Sequence, residues 1–411
     1  MPAPGDPSTA PPPLRFTGHD ALPTRLLLST LTGRSIHISQ IRSKSRSAPG
    51  LQSYEISLLR LLTSLTNGTH VEVSMTGTSL LYRPGLIIGT PPGYGADGSG
   101  VLRLDIEAPP STERRGISYW ALPVCLLAPF AKSPVNVILG GPGVITGATE
   151  KDISIDTVRT GVLPLFERFG IRGDVEIRVL KRACRGGVGG GGGGEVQIVF
   201  GKIAQVRLPK TVHMMVPGRV RRVRGVAYGV GIGGGSNARM IEVARGILNP
   251  LCPDTYVYSD VASAPFLGGG NQQGKGGGKR TGLGFGLSLV AETSSGALYS
   301  ADCASPSEGG ETPEEVGRKA THQLLEVISQ GGCLSKTTAP PFLLLMAMGS
   351  EDVGRVCMGK GVIGSEEVIA LGRDLRSFGM NAWGMRDADD EDTVIVSVVG
   401  KGVGNVGRKV A

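Results

Sequence analysis

Only 6 of the 411 residues are cysteine and 5 are histidine, and neither type is spaced to hold a metal. Cys125, Cys184, Cys252, Cys303, Cys333 and Cys357 form no CxxC pair. That excludes a zinc ribbon and a disulfide frame, and it points to reduced thiols in a cytosolic or nuclear protein. The histidines form no HxH or HExxH pair. No apolar run reaches the length of a membrane-spanning helix, so no membrane partner is expected. The N-terminal MPAPGDPSTAPPP lacks the basic-then-apolar order of a secretory signal and is expected to be a disordered Pro-rich tail, residues 1–13. Aromatic residues are few, at 5%.

Glycine, by contrast, is abundant at 65 residues, and six of these run from Gly189 to Gly194 in RGGVGGGGGGEVQI. A phosphate-cradling P-loop needs GxxxxGK[ST] between a strand and a helix. Here the glycines are followed by the alternating Glu195–Phe200, with no Lys-Ser/Thr and no helical pattern. The run therefore reads as an expanded turn entering a strand. Lys and Arg (43) exceed Asp and Glu (35), giving a net charge of +8, which fits an RNA or an acidic protein as partner. The 40% hydrophobic content is enough for a sizeable core.

One pattern recurs along the chain: an apolar-periodic helix, a glycine stop, then an alternating strand. It appears in LPTRLLLSTLTGRSIHISQIR, LQSYEISLLRLLTSLTNGTHVEVSM and SIDTVRTGVLPLFERFGIRGDVEIRVLKR. It appears again in NARMIEVARGILNPLCPDTYVYSDV and SEEVIALGRDLRSFGMNAW. Units that each bury a helix face on a sheet face predict an α/β (α+β) protein built from duplicated modules. The Pro- and Gly-rich stretches Thr90–Arg115 and Pro265–Arg280 read as loops.

Ordered matches along the chain carry a family resemblance. Gly192-Gly193-Gly194-Glu195-Val196 resembles the GGGEV strand entry of the RNA 3'-terminal phosphate cyclase family. LTGRSIHISQIR, PGLQSYEISLLRLL and Tyr82–Gly85 (YRPG) resemble its first module. GLGFGLSLVAETSSGALYSAD and PEEVGRKATHQLLEVISQGGC resemble later segments. The resemblance covers nearly everything after Leu14. It implies a large domain of repeated αβ modules, residues 14–185 and 282–411, with a smaller α/β domain inserted at 186–281.

The chemistry of a cyclase asks for a histidine that is adenylated, and for an ATP pocket. The segment between Met358 and Val368 that should carry this nucleophile has no histidine. The GEGGGQ-like loop is replaced by FTGHDALPTRLLL, which keeps only Gly18. The family's Gln-His pair is matched by Tyr54-Glu55, and its Asp-Gln by Pro340-Pro341. These departures resemble the cyclase-like branch of the family, which acts in eukaryotic small-subunit ribosome assembly. That resemblance implies a nucleolar protein with no cofactor. It implies as partners a large ribosome-assembly GTPase, the small-subunit processome and pre-rRNA needed for 18S rRNA.

Three clusters are candidates for binding or catalysis. Arg373, Asp374 and Arg376 match an Arg-Asp-x-basic group of the branch, on a helix whose core positions are expected to be Val368, Ile369, Leu371, Leu375 and Phe378. They read as an ordinary polar helix face with local ion pairs, as a contact for a protein partner or an RNA phosphate, or as an endoribonuclease site in which the carboxylate polarises a 2'-hydroxyl and the arginines steady the phosphorane. No catalytic residue is otherwise assigned, and an active cyclase is the third reading. Arg42, Lys44 and Arg46 form a cationic loop that the resemblance places at an old phosphate-binding face, and they read either as a retained anion site or as a merely soluble loop. Arg222 and Arg224, in RVRRVR, share one strand face. They read either as a charge-guarded edge strand or as a stripe contacting phosphates, without the interleaved aromatics of a stacking site. Lys275, Lys279 and Arg280 are a looser basic cluster.

Overall fold

The computed structural model describes residues 11–95, 97–108, 114–187, 190–201, 208, 211–267, 279–388 and 391–405. The tail through residue 10 and Lys275 lie outside the described residues, as does the side chain of Lys279.

The first module shows how periodicity becomes structure. Strand β1 (Leu14–Thr17) leads through the left-handed Gly18 into helix α1 (Leu22–Thr32). The α1 leucines Leu22, Leu26, Leu27, Leu28 and Leu31 are buried, and Gly33, at φ 68°, caps the helix in the left-handed region. Strand β2 (Ile36–Ser39), helix α2 (Ser53–Leu65), β3 (His70–Val73) and β4 (Leu80–Arg83) complete it. The sheet order is β1-β2-β4-β3, with β1 and β2 parallel and the other pairs antiparallel.

The same β-α-β-α-β-β unit occurs a second time. It comprises β5 (Leu102–Asp105), α3 (Ser118–Leu127), β6 (Val135–Gly140), a broken helical segment, β7 (Val175–Lys181) and β8 (Glu195–Phe200), in the order β5-β6-β8-β7. The broken segment begins as α4 (Ile155–Thr157), widens to a π turn (Val158–Val162) and tightens to a 3-10 turn (Leu163–Phe169). Pro164 within it has no N–H to donate, so a regular ladder cannot run through. Strand β5 lies inside the stretch expected to be loop; its four residues are too short and too charged for periodicity to stand out.

The third unit starts at β9 (His213–Met214) and resumes after a long excursion with α7 (Ala339–Met348), β14 (Val353–Gly359), α8 (Glu366–Ser377), β15 (Trp383–Asp387) and β16 (Thr393–Val399). Its order, β9-β14-β16-β15, repeats that of the other two. The excursion is a separate βαβββα unit: β10 (Val220–Val230), α5 (Gly235–Leu248), β11 (Thr255–Ala262), β12 (Lys279–Thr293), β13 (Leu298–Ala304) and α6 (Pro313–Ser329). Along β11-β10-β12-β13, β10 and β11 are parallel and β12 is antiparallel to β10 and β13; β12 also pairs antiparallel with Gly186–Gly187 and Phe266–Leu267.

The expected division at 281/282 falls inside β12, and the expected opening at Gly186 precedes β8, a strand of the second unit. Glycine composition suggested those limits, whereas long-range pairing decides sheet membership. The glycine run joins β7 to β8, and just before it Gly186 and Gly187 pair with Leu283 and Thr281 of β12, so this connection also adds to the insert sheet. The run's described residues are tightly packed: a Cβ on Gly191 (φ 87°) would lie 2.3 Å from the Cys184 carbonyl oxygen, and one on Gly192 (φ 90°) 2.1 Å from that of Pro142.

Aromatic pairs tie the units together. Tyr54 of the first meets Tyr119 of the second at 5.3 Å, Phe169 of the second meets Phe342 of the third at 4.9 Å, and Phe16 stacks on Phe378 at 5.8 Å between first and third. The insert is held to the second unit by polar bonds. Buried Arg182 donates to Asp156 at 2.7 and 3.1 Å and to Asp260 at 2.5 Å, and Asp302 accepts from the Ser154 backbone N–H and hydroxyl at 2.9 and 2.8 Å. Burial raises the Asp302 carboxyl above its ordinary range against these bonds.

Candidate functional site

Helix α8 carries the Arg-Asp-x-Arg group. Val368, Leu371, Leu375 and Phe378 are buried as the periodicity expects, but Ile369 is exposed because it lies on the flank of the stripe. Arg373 and Arg376 point to solvent, with no ion-pair partner among the described residues. Asp374 faces the other way and is buried. Its two carboxylate oxygens accept Arg25 Nε at 3.3 and 3.2 Å, and Arg25 lies over the Phe16 ring at 4.8 Å. Burial raises the Asp374 carboxyl although Arg25 pulls it down. The helix thus separates the acid from the two arginines and uses it to join the first and third units.

In the second cluster the guanidinium of Arg42 is held by Glu55, at 2.7 and 2.9 Å, and by the Tyr54 hydroxyl at 2.8 Å. Glu55 also accepts the Gln52 backbone N–H at the start of α2, at 2.8 Å, so helix capping fixes the carboxylate in place. Arg115 packs over Tyr119 at 4.3 Å and pairs with Asp152 at 2.6 and 2.8 Å next to this group. Lys44 and Arg46 are exposed and make no part of the cage.

The third cluster lies on a central strand, not an edge: β10 is flanked by β11 and β12. Val223 is buried beneath it, while Arg222 and Arg224 open into a cleft of about 890 Å³ between the insert, the helical segment of the second unit and β9. Arg159, Arg168 and Arg172 line the same cleft. Five arginines therefore face two glutamates, Glu167 and Glu292. Arg222 pairs with Glu292 at 2.6 Å, Arg224 with Asp254 at 2.9 Å and Arg159 with Asp156 at 3.0 Å, while Arg168 donates to the Ser295 carbonyl at 2.5 Å. Exposed Arg172 has no ion-pair partner among the described residues. Sequence reasoning missed Arg159, Arg168 and Arg172, because no local motif marks three arginines on a broken helix and its exit. In the remaining basic cluster, Arg280 lies over Phe266 at 5.8 Å.

These positions acquire meaning from comparison with known proteins. The family model described as RNA 3'-terminal phosphate cyclase matches residues 14–370. The chain belongs to that family. It is 37% identical over 397 residues to the "rRNA processing protein rcl1" of Schizosaccharomyces pombe, covering 96% of this chain and 98% of that one. It is 36% identical over 405 residues to the human "RNA 3'-terminal phosphate cyclase-like protein", covering 96% and 97%. The "rRNA processing protein RCL1" of Saccharomyces cerevisiae is 32% identical over 407 residues, covering 98% and 100%.

Within the cyclase family frame, the altered positions have structural uses here. Pro340 and Pro341 begin α7, where a missing N–H costs nothing. Met358 and Val362, in the segment where a nucleophilic histidine would stand, are fully buried, and Lys360 is exposed. Among the described residues no group of three or more His, Cys, Asp and Glu side chains could hold a metal ion, and no helix is long and apolar enough to cross a membrane.

Proposed function

We propose that this protein is an rRNA-processing factor of the small-subunit processome. It works in the nucleolus on the 18S rRNA precursor as a scaffold that does not itself perform cyclase chemistry. The similarity to proteins named for rRNA processing, over 96% or more of this chain, carries the reading. The arginine-lined cleft supports binding of pre-rRNA through Arg222 and Arg224, with Lys44 and Arg46 as a second exposed basic site. The solvent-facing Arg373 and Arg376 support docking of a large ribosome-assembly GTPase, since guanidinium groups bind carboxylates bidentately. The endoribonuclease alternative needs Asp374 at the RNA, and its burial against Arg25 favours the scaffold.

The test is depletion and rescue. Loss of the protein should raise uncut 18S precursor, and the tagged protein should co-purify with the GTPase and crosslink to pre-rRNA. Normal precursor levels after depletion, with neither partner recovered, would remove the proposal.

A further inference from the structure

The sequence around Arg222 and Arg224 contains no aromatic residue suited to stacking, yet pairing of β10 with β11 supplies two. Arg224 is the register partner of Tyr256, and Val226 is that of Tyr258. Register partners in parallel strands project to the same face, and positions i and i+2 on one strand share it. Arg222, Arg224, Tyr256 and Tyr258 therefore lie on one face of the insert sheet. Tyr256 and Tyr258 are 55% and 57% exposed, with ring centroids 4.6 Å apart and planes at 74°. Strand β11 is the outer strand, and among the described residues nothing pairs with its far side. Two large rings thus remain in solvent one strand away from a cleft carrying five arginines.

We propose that this face is a single-stranded RNA site, with bases stacking on Tyr256 and Tyr258 and the adjoining phosphates held by the cleft arginines. Exposed tyrosine rings gain most from flat, apolar faces, and every base offers one. The five arginines that line the adjoining cleft suit a polyanion. Duplex RNA hides its base faces, so it can use only the arginines. This inference rests on the proposed binding of RNA in the cleft and adds how the strand is held.

The full chain is titrated by fluorescence anisotropy with a labelled 12-nucleotide oligouridine and with a duplex of equal length, at several salt concentrations. Tyr256→Ala/Tyr258→Ala should weaken oligouridine binding about 30-fold or more without changing the salt slope. Tyr256→Phe/Tyr258→Phe should bind like the parent, because the rings remain. Arg222→Ala/Arg224→Ala should instead reduce the slope by about 0.7 for each phosphate that is no longer neutralised. All four side chains are substantially exposed, so these variants are expected to fold, which circular dichroism checks.

If the alanine pair at the tyrosines binds like the parent while the arginine pair lowers the slope, stacking is overturned and the binding of RNA stands. Equal or tighter binding of the duplex also overturns the stacking site. If oligouridine and duplex both fail to bind, the RNA reading of the cleft falls with it. Capture of an acidic peptide in place of RNA would make this face a protein interface and overturn the proposal.

Discussion

Glu55 grips Arg42 through both terminal guanidinium nitrogens, at 2.7 and 2.9 Å, with only 3% of the glutamate side chain exposed. A carboxylate so placed occupies the bidentate geometry that a phosphate would need. An incoming anion would have to displace a buried charge that also caps α2. ATP, magnesium and an end-labelled RNA 3'-phosphate should therefore yield neither a protein–AMP adduct nor a 2',3'-cyclic end. The buried Met358 and Val362, in a segment without histidine, argue the same way. Either product above a protein-free control contradicts this expectation.

The same pair predicts a stability effect. Glu55→Ala leaves the Arg42 charge largely buried without its bidentate partner, which should cost about 3–5 kcal/mol in a denaturant titration. Lys44→Ala, at an exposed position of the same loop, should stay within about 0.5 kcal/mol. Equal losses from both would show that the loop, and not the ion pair, carries the stability.

The glycine run gives a prediction from backbone geometry alone. Gly192→Ala combines a φ of 90° with a Cβ placed 2.1 Å from the Pro142 oxygen, so the chain must shift. A loss above about 2 kcal/mol is expected. At Gly233, where an added Cβ meets nothing within 4 Å, the same substitution should be nearly neutral. A tolerated Gly192→Ala would mean that the run is a loose linker after all.

Local patterns were the legible part of this molecule. The leucine stripes of α1 and α2, the glycine stop of α1 and the alternation of β7, β8 and β10 follow from side-chain period, so the repeated units could be read directly, although α2 ends on an extended Thr66 rather than on the expected Asn67-Gly68. What could not be read depends on partners far apart in the chain. Arg25 and Asp374 are 349 positions apart, and the helical period that exposes Arg373 says nothing about which acid turns inward to meet Arg25. Tyr256 became a neighbour of Arg224 only through strand pairing. The limits of the insert depend on the same kind of long-range pairing, since glycine density marks turns but does not say which sheet a strand joins.

Asp374 decides between docking and cleavage on α8. Because burial holds its carboxyl above the ordinary value of 3.8, the folded chain binds its proton more tightly than the unfolded chain does. This group's contribution to stability is therefore full below pH 3.8 and is lost as pH rises through the raised folded value. Asp374→Asn removes that titration and keeps the shape. The stability of the parent minus that of the variant should then fall as pH rises through the acid range. A difference that grows with pH would mean that Arg25 outweighs burial. Arg373→Ala/Arg376→Ala touches only exposed side chains and should fold within about 1 kcal/mol of the parent, yet lose the GTPase in a pull-down. An interfacial arginine truncation worth about 2 kcal/mol corresponds to roughly 30-fold in affinity. Asp374→Asn should keep that interaction, and the parent protein should leave a pre-rRNA fragment uncut. If the parent cuts at one defined position, Asp374→Asn abolishes the cut without altering stability, and the arginine pair still binds the GTPase, then α8 is a nuclease element and the docking assignment fails.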